Sequence, residues 1–128
     1  MKTLENFEVV GKRAFYRPTG RASFEQAVEM AAEGMRQARA QDASSLLVNT
    51  LDLTGMMPPT IFARHALAVR WAESAGTQLH VAMVARAELI DPEKIGVLMA
   101  QNRGVSGDVF TTEAAALTWL DSRQTTTI

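Results

Sequence analysis

Apolar and polar positions change period several times along the chain, and each change marks an element. Phe7 to Val10 and Arg13 to Tyr16 are short β-prone runs separated by Gly11-Lys12, the Gly-X order that a two-residue type II′ hairpin turn wants. Pro18, Thr19 and Gly20 end this predicted hairpin. Ser23 then opens a helix, with Gln26 three residues on in capping-box spacing, so that the first free backbone N–H groups find acceptors. Phe24, Val28, Ala31, Met35 and Ala38 recur at helical intervals as an apolar stripe, and Glu25, Glu29, Glu33, Arg36 and Gln37 take the wet side.

Ser44 to Leu51 reads as a central buried strand. Its core lies in LLVNTLDLTG (Leu46 to Gly55), a branched aliphatic run that breaks into Asp52, Thr54 and Gly55 as a parallel strand does before a crossover helix. Met56-Met57-Pro58-Pro59 forms a short stiff loop, since two prolines forbid a ladder. Thr60 is the expected N-cap of a helix over Ile61 to Ala75, with Ile61, Leu67, Ala68, Val69, Trp71 and Ala72 on its apolar arc. Arg70, Glu73 and Ser74 stand opposite, and Arg64 and His65 at the margins. Gly76 suits a left-handed cap, and Leu79 to Ala85 a second buried strand. Asp91 and Pro92 suit the start of a third helix that carries Ile95, Leu98 and Met99 inward and stops at Gly104. Val109 to Thr111 and Thr112 to Leu120 give a last strand and helix.

The order β-β-α-β-α-β-α-β-α predicts an α/β fold: a mixed sheet of about five strands, antiparallel in the N-terminal hairpin and parallel thereafter, with about four helices. Residues 1–121 form one expected domain, and the polar, Thr-rich 122–128 a tail that frays.

Composition narrows the function. With 13 Lys+Arg against 14 Asp+Glu, no bulk charge draws the chain to nucleic acid or an anionic membrane. The absence of cysteine excludes disulfides, thiolate metal sites and Cys nucleophiles. The N-terminus has no apolar core of signal-peptide length, and no apolar run approaches the roughly 20 residues of a membrane span. A soluble cytoplasmic protein is the expectation.

Three segments together, LLVNTLDLTG, the NRG at Asn102 to Gly104, and VFTTEAAALTWL from Val109 to Leu120, resemble the SpoIIAA-like group of STAS-type domains, the superfamily of bacterial anti-sigma-factor antagonists. The resemblance covers roughly residues 13 to 120. It implies a SpoIIAA-like mixed sheet and a regulatory protein-interaction module whose contacts lie around the loop after the central strand and the helix that follows. In the antagonists that loop ends in a Ser, phosphorylated by a partner kinase. This chain has Pro59, Thr60, Ile61, Phe62 and Ala63 there, so Thr60 stands at a degenerate switch position, and a module without the usual Ser phosphoswitch is expected.

Catalytic arrangements are sparse. A nucleophile needs a base within hydrogen-bond reach, and the candidates are Thr60 with His65 and Asp52. His65 lies about 140° round the helix from Thr60, so Thr60 reads as a cap alone. His80 reads as a polar residue near a strand start, with no metal-ligand spacing around it. The GVSGD stretch ending at Asp108 matches neither a dinucleotide nor a Walker phosphate loop and reads as turn geometry. A receiver domain would need further acids beside Asp52. No catalytic, metal or cofactor residues are assigned, and the protein is expected not to be an enzyme.

The leading expectation is a non-enzymatic interaction module for an unidentified protein partner, with Met56, Met57, Pro58, Thr60, Arg64 and His65 as the contact face. The edge of the N-terminal hairpin could also pair with a second copy as a homodimer. The alternative is a carrier or sensor of a small apolar, lipid-like ligand, prompted by the architecture that SpoIIAA-like and CRAL-TRIO lipid-binding domains share. Seven Met and five Phe make a plastic lining available.

Overall fold

The fold is taken from a computed structural model that describes residues 4–124. Strands β1 (Phe7–Val10) and β2 (Arg13–Tyr16) form the expected antiparallel hairpin. Gly11 sits at φ +62°, the positive angle that the first central residue of a type II′ turn requires. After β3 (Gly20–Arg21) comes α1 (Phe24–Ala40), then β4 (Ser45–Asn49), β5 (Leu53–Thr54) and α2 (Ile61–Ala75). They are followed by β6 (His80–Val84), a 3₁₀ turn over Ala87–Leu89, α3 (Ile95–Asn102), β7 (Ser106–Phe110) and α4 (Glu113–Gln124). The main sheet has five strands in the order β1-β2-β4-β6-β7, with every pair after the hairpin parallel. This is the α/β architecture expected from the hydrophobic pattern. β3 and β5, too short to leave a period in the sequence, add a separate two-stranded parallel pair.

Alternation along the strands divides the core into two layers. Ala14, Tyr16, Leu46, Val48, Val81 and Met83 pack against α1, α2 and α3. The residues between them, Leu47, Ala82 and Val84, together with Phe15, pack against Ala116, Leu117, Trp119 and Leu120 of α4. Because the strand order only advances, right-handed crossovers place all three connecting helices on one face. Among the described residues α4 alone therefore covers the other face. It is tied down by Arg13 Nη1, which donates to Asp121 Oδ1 at 2.9 Å, and by Phe110 beside Trp119 with ring centroids 6.0 Å apart.

Ser23 makes the full capping box: its Oγ accepts from Gln26 N at 3.1 Å, and Gln26 Oε1 accepts from Ser23 N at 2.8 Å. Val28, Ala31, Met35 and Ala38 are buried as the stripe predicts. Arg70 of α2 then grips Glu29 of α1 through two bonds of 2.8 and 2.7 Å. That bond holds the Glu29 carboxyl below its ordinary range.

Six expectations need correction. β7 begins at Ser106 rather than Val109, so the GVSGD stretch is mostly strand. Its Gly107 suggests a turn but marks a close approach, since a Cβ there would overlap the Trp71 indole. α3 begins at Ile95, not at Pro92. Asp91 Oδ2 accepts from Glu93 N and Ile95 N at 2.9 and 3.2 Å, closing a turn, and Lys94 then takes a left-handed φ of +53°. The helix consequently buries Gly96, Val97 and Ala100, leaving Leu98 51% exposed. In α2, Ser74 is buried and Ile61 exposed, the reverse of the predicted faces, because the helix turns the Ala68-Trp71-Ala75 ridge inward. Gly76 has a positive φ but a ψ of −155°, an extended mirror conformation open essentially to glycine alone, not a left-handed helical cap. α4 continues through Gln124, so residues 122–124 of the predicted tail are helical. The remainder of that tail lies outside the described residues.

Leu120 is fully buried in the layer between the sheet and α4. Leu120→Ala should cost about 3 kcal/mol, and truncation before Thr112 should remove the cooperative urea transition altogether. A truncated chain that melts like the full one would show the second layer to be dispensable. Ser74 Oγ is buried without a hydrogen-bond partner, so Ser74→Ala should raise stability by about 1 kcal/mol in the same assay.

Candidate functional site

The loop between β5 and α2 is held at both ends. At its start, Ala22 N donates to Thr54 O at 2.9 Å within the β3–β5 pair, and Leu53 is fully buried among Ala22, Ala27, Met30 and Met56. Two prolines stiffen the middle. At its end Thr60 is the N-cap of α2 (φ −72°, ψ 169°), and its Oγ1 accepts from Ala63 N at 3.1 Å.

This anchoring sorts the six residues expected to form a contact face. Met57, Pro58, Thr60 and His65 are exposed, with Met57 at 73%. Met56 instead tucks into the Leu53 cluster as a half-buried cover. Arg64 also turns inward: its Nη1 lies 3.5 Å from Leu89 O, and its stem is packed near Gly96, whose Cβ would lie 3.6 Å from that of Arg64. The exposed places are taken by Ile61, at 49%, and Phe62, at 83%. Neither of these two is among the six residues expected from the sequence. The signal for Arg64 was available in the sequence, since positions 64, 68, 71 and 75 share one helical face.

Among the described residues no nucleophile–base arrangement forms around Thr60. His65 and Asp52 are both exposed, and among the described residues neither side chain has a hydrogen-bond partner. His80 opens β6, with its Nδ1 2.6 Å from Ser106 Oγ on the paired strand. Burial pushes its imidazole below the ordinary 6.5, and Arg123 acts in the same direction. Asp108 is in β7, where it accepts from Lys94 Nζ at 2.8 Å. Lys94 also donates to Val109 O at 3.0 Å, which secures the start of α3 to β7. Among the described residues no three His, Asp or Glu side chains converge as a metal site would require.

Two further groupings escaped the sequence. Glu113, in the first turn of α4, accepts from Arg17 Nε and Nη2 at 2.7 and 3.1 Å and from Asn49 Nδ2 at 2.6 Å. The Arg17 bond holds its carboxyl below the ordinary 4.5 against the opposing effect of burial. The second grouping is a cavity of about 100 Å³ at the carboxyl ends of β4, β6 and β7, beneath the N-terminal halves of α1 and α2 and the start of α3. Its walls are mostly apolar, and Arg64, Asp91 and Lys94 are its charged members.

Among the described residues no helix is long and apolar enough to cross a membrane. No family model matches the chain, and no curated protein matches it.

As a cap, Thr60 should behave structurally: Thr60→Ala should lower stability by about 1 kcal/mol, and Thr60→Ser should be nearly silent. Stoichiometric phosphate on Thr60 in protein isolated from its own cell would instead restore the switch. Folding lowers the proton affinity of both His80 and Glu113, so the unfolded chain binds more protons and acid destabilises the fold. The His80 contribution is present above pH 6.5 and lost as pH falls below that value, and the Glu113 contribution is lost below 4.5. Urea midpoints recorded against pH should show the upper step flattened in His80→Gln and the lower step reduced in Glu113→Gln.

Proposed function

We propose that this chain is a non-enzymatic protein-interaction module, a divergent relative of the STAS or SpoIIAA-like domains that lacks their Ser phosphoswitch. Its contact face comprises Met57, Pro58, Thr60, Ile61, Phe62 and His65. The observation that carries this reading is the exposure of Met57 and Phe62, at 73% and 83%, on a loop and helix start that are otherwise rigidly held. Large apolar side chains on an anchored scaffold expose their area to water with no folding gain, and a complementary apolar recess on a partner would recover it. Aromatic and Met anchors surrounded by polar groups are also the composition of interface centres.

The neutral chain has no global field to steer recognition, so local shape must supply specificity. The same reading revises the contact face expected from sequence: Arg64 and Met56 leave it, and Ile61 and Phe62 join it.

Tagged wild-type protein and the Met57→Asp/Phe62→Asp double variant, presented to lysate of the source cell, should differ in the proteins they retain. Both substituted positions are exposed, so the variant should keep the wild-type melting temperature while losing the partner. Equal retention by a correctly folded variant would move the interface elsewhere. The next place to search is β1, an edge of the main sheet, where strand addition would build a homodimer detectable by sedimentation.

A further inference from the structure

We propose that the cavity beneath α1, α2 and α3 binds a small apolar monocarboxylate, with Arg64 receiving the carboxylate. This site is separate from the contact face proposed above. The cavity volume of about 100 Å³ is about two-thirds of the roughly 150 Å³ that holds a benzene ring, so an apolar body of about four carbons fits. Val28, Leu67, Trp71 and Val97 supply apolar walls for it.

The charged members of the lining decide what stands at its polar end. Lys94 is committed to Asp108 Oδ1 and Val109 O. Asp91 is committed to the backbone amides of Glu93 and Ile95. Arg64 has no carboxylate partner among the described residues, only the long 3.5 Å bond to Leu89 O. Arg64 is half-buried, and a guanidinium drawn toward the protein without a counter-ion gives up hydration for little return. Its planar fork of donors matches a carboxylate in a two-bond geometry. Asp91 on the same wall opposes a dianion more strongly than a monoanion, which favours carboxylate over phosphate. An amine would meet Arg64 with like charge, and an alcohol would leave that charge unpaired.

Isovalerate, isoamyl alcohol, isoamylamine and isoamyl phosphate share one branched five-carbon skeleton, whose first carbon is the carboxylate in the acid and a methylene in the others, so they test the assignment of the polar end. Titrated into the full ¹⁵N-labelled chain, isovalerate should move the Trp71 indole N–H and the Gly96 amide saturably. Its affinity should fall at least about tenfold in Arg64→Gln and recover in part in Arg64→Lys. Isoamyl alcohol should bind more weakly to the wild type and be indifferent to Arg64→Gln. The Met57→Asp/Phe62→Asp variant should bind isovalerate as the wild type does, which keeps this site independent of the contact face. Four results would overturn the proposal: no saturable movement with isovalerate, alcohol or amine binding as tightly as the acid, unchanged isovalerate affinity in a folded Arg64→Gln variant, or tighter binding of isoamyl phosphate.

Discussion

The handedness of parallel crossovers is the constraint on which the rest of this structure depends. From β2 onward each strand is laid beside the last in one direction. Every right-handed connection must then rise over the same face of the sheet. Among the described residues three helices crowd one side, and the other side has a single helix to exclude water from Phe15, Leu47, Ala82 and Val84. A doubly wound sheet avoids this imbalance by reversing its direction of growth, which opens a crevice at the reversal. This sheet has no such reversal. Its concavity lies instead within the crowded layer, where the starts of three helices meet the ends of three strands.

That placement relates the loop after β5 to the cavity. Met56 belongs to the cavity wall and to the Leu53 cluster, whereas Met57 next to it stands in solvent. The loop thus has an inner and an outer surface one residue apart. The pairing of β3 with β5 holds the start of the loop, and the Thr60 cap holds its end. Local rigidity of this kind lowers the entropy lost when a surface is covered.

Much of the fold was legible because buried strands and amphipathic helices leave periods in the sequence. The hairpin, the α1 capping box and the bounds of α2 follow from Gly11, from Ser23 with Gln26, and from Thr60 with Gly76. The failures have specific physical causes. Gly107 looks like a breaker because sequence does not show the indole that occupies the place of its side chain. Asp91 resembles a helix cap because the same carboxylate can close a preceding turn. β3 and β5 are two residues each, shorter than any alternation can register. The candidate site was legible as a region but not as a surface. Composition placed Met56 and Met57 together, and only tertiary packing separates them. The ion pairs of Arg17 with Glu113 and of Arg70 with Glu29 join residues far apart in the chain, so local spacing held no sign of them.

The two tryptophans fall one to each layer: Trp71 is sealed among the three-helix side, and Trp119 lies half-buried on the α4 side. The protein thus contains a native fluorophore in each half of its core, separated by the sheet. Replacing either one with phenylalanine leaves a chain whose emission follows a single layer. The pair of spectra can then resolve whether the lone helix leaves the sheet before the crowded face loosens, or whether both layers dissolve in one event.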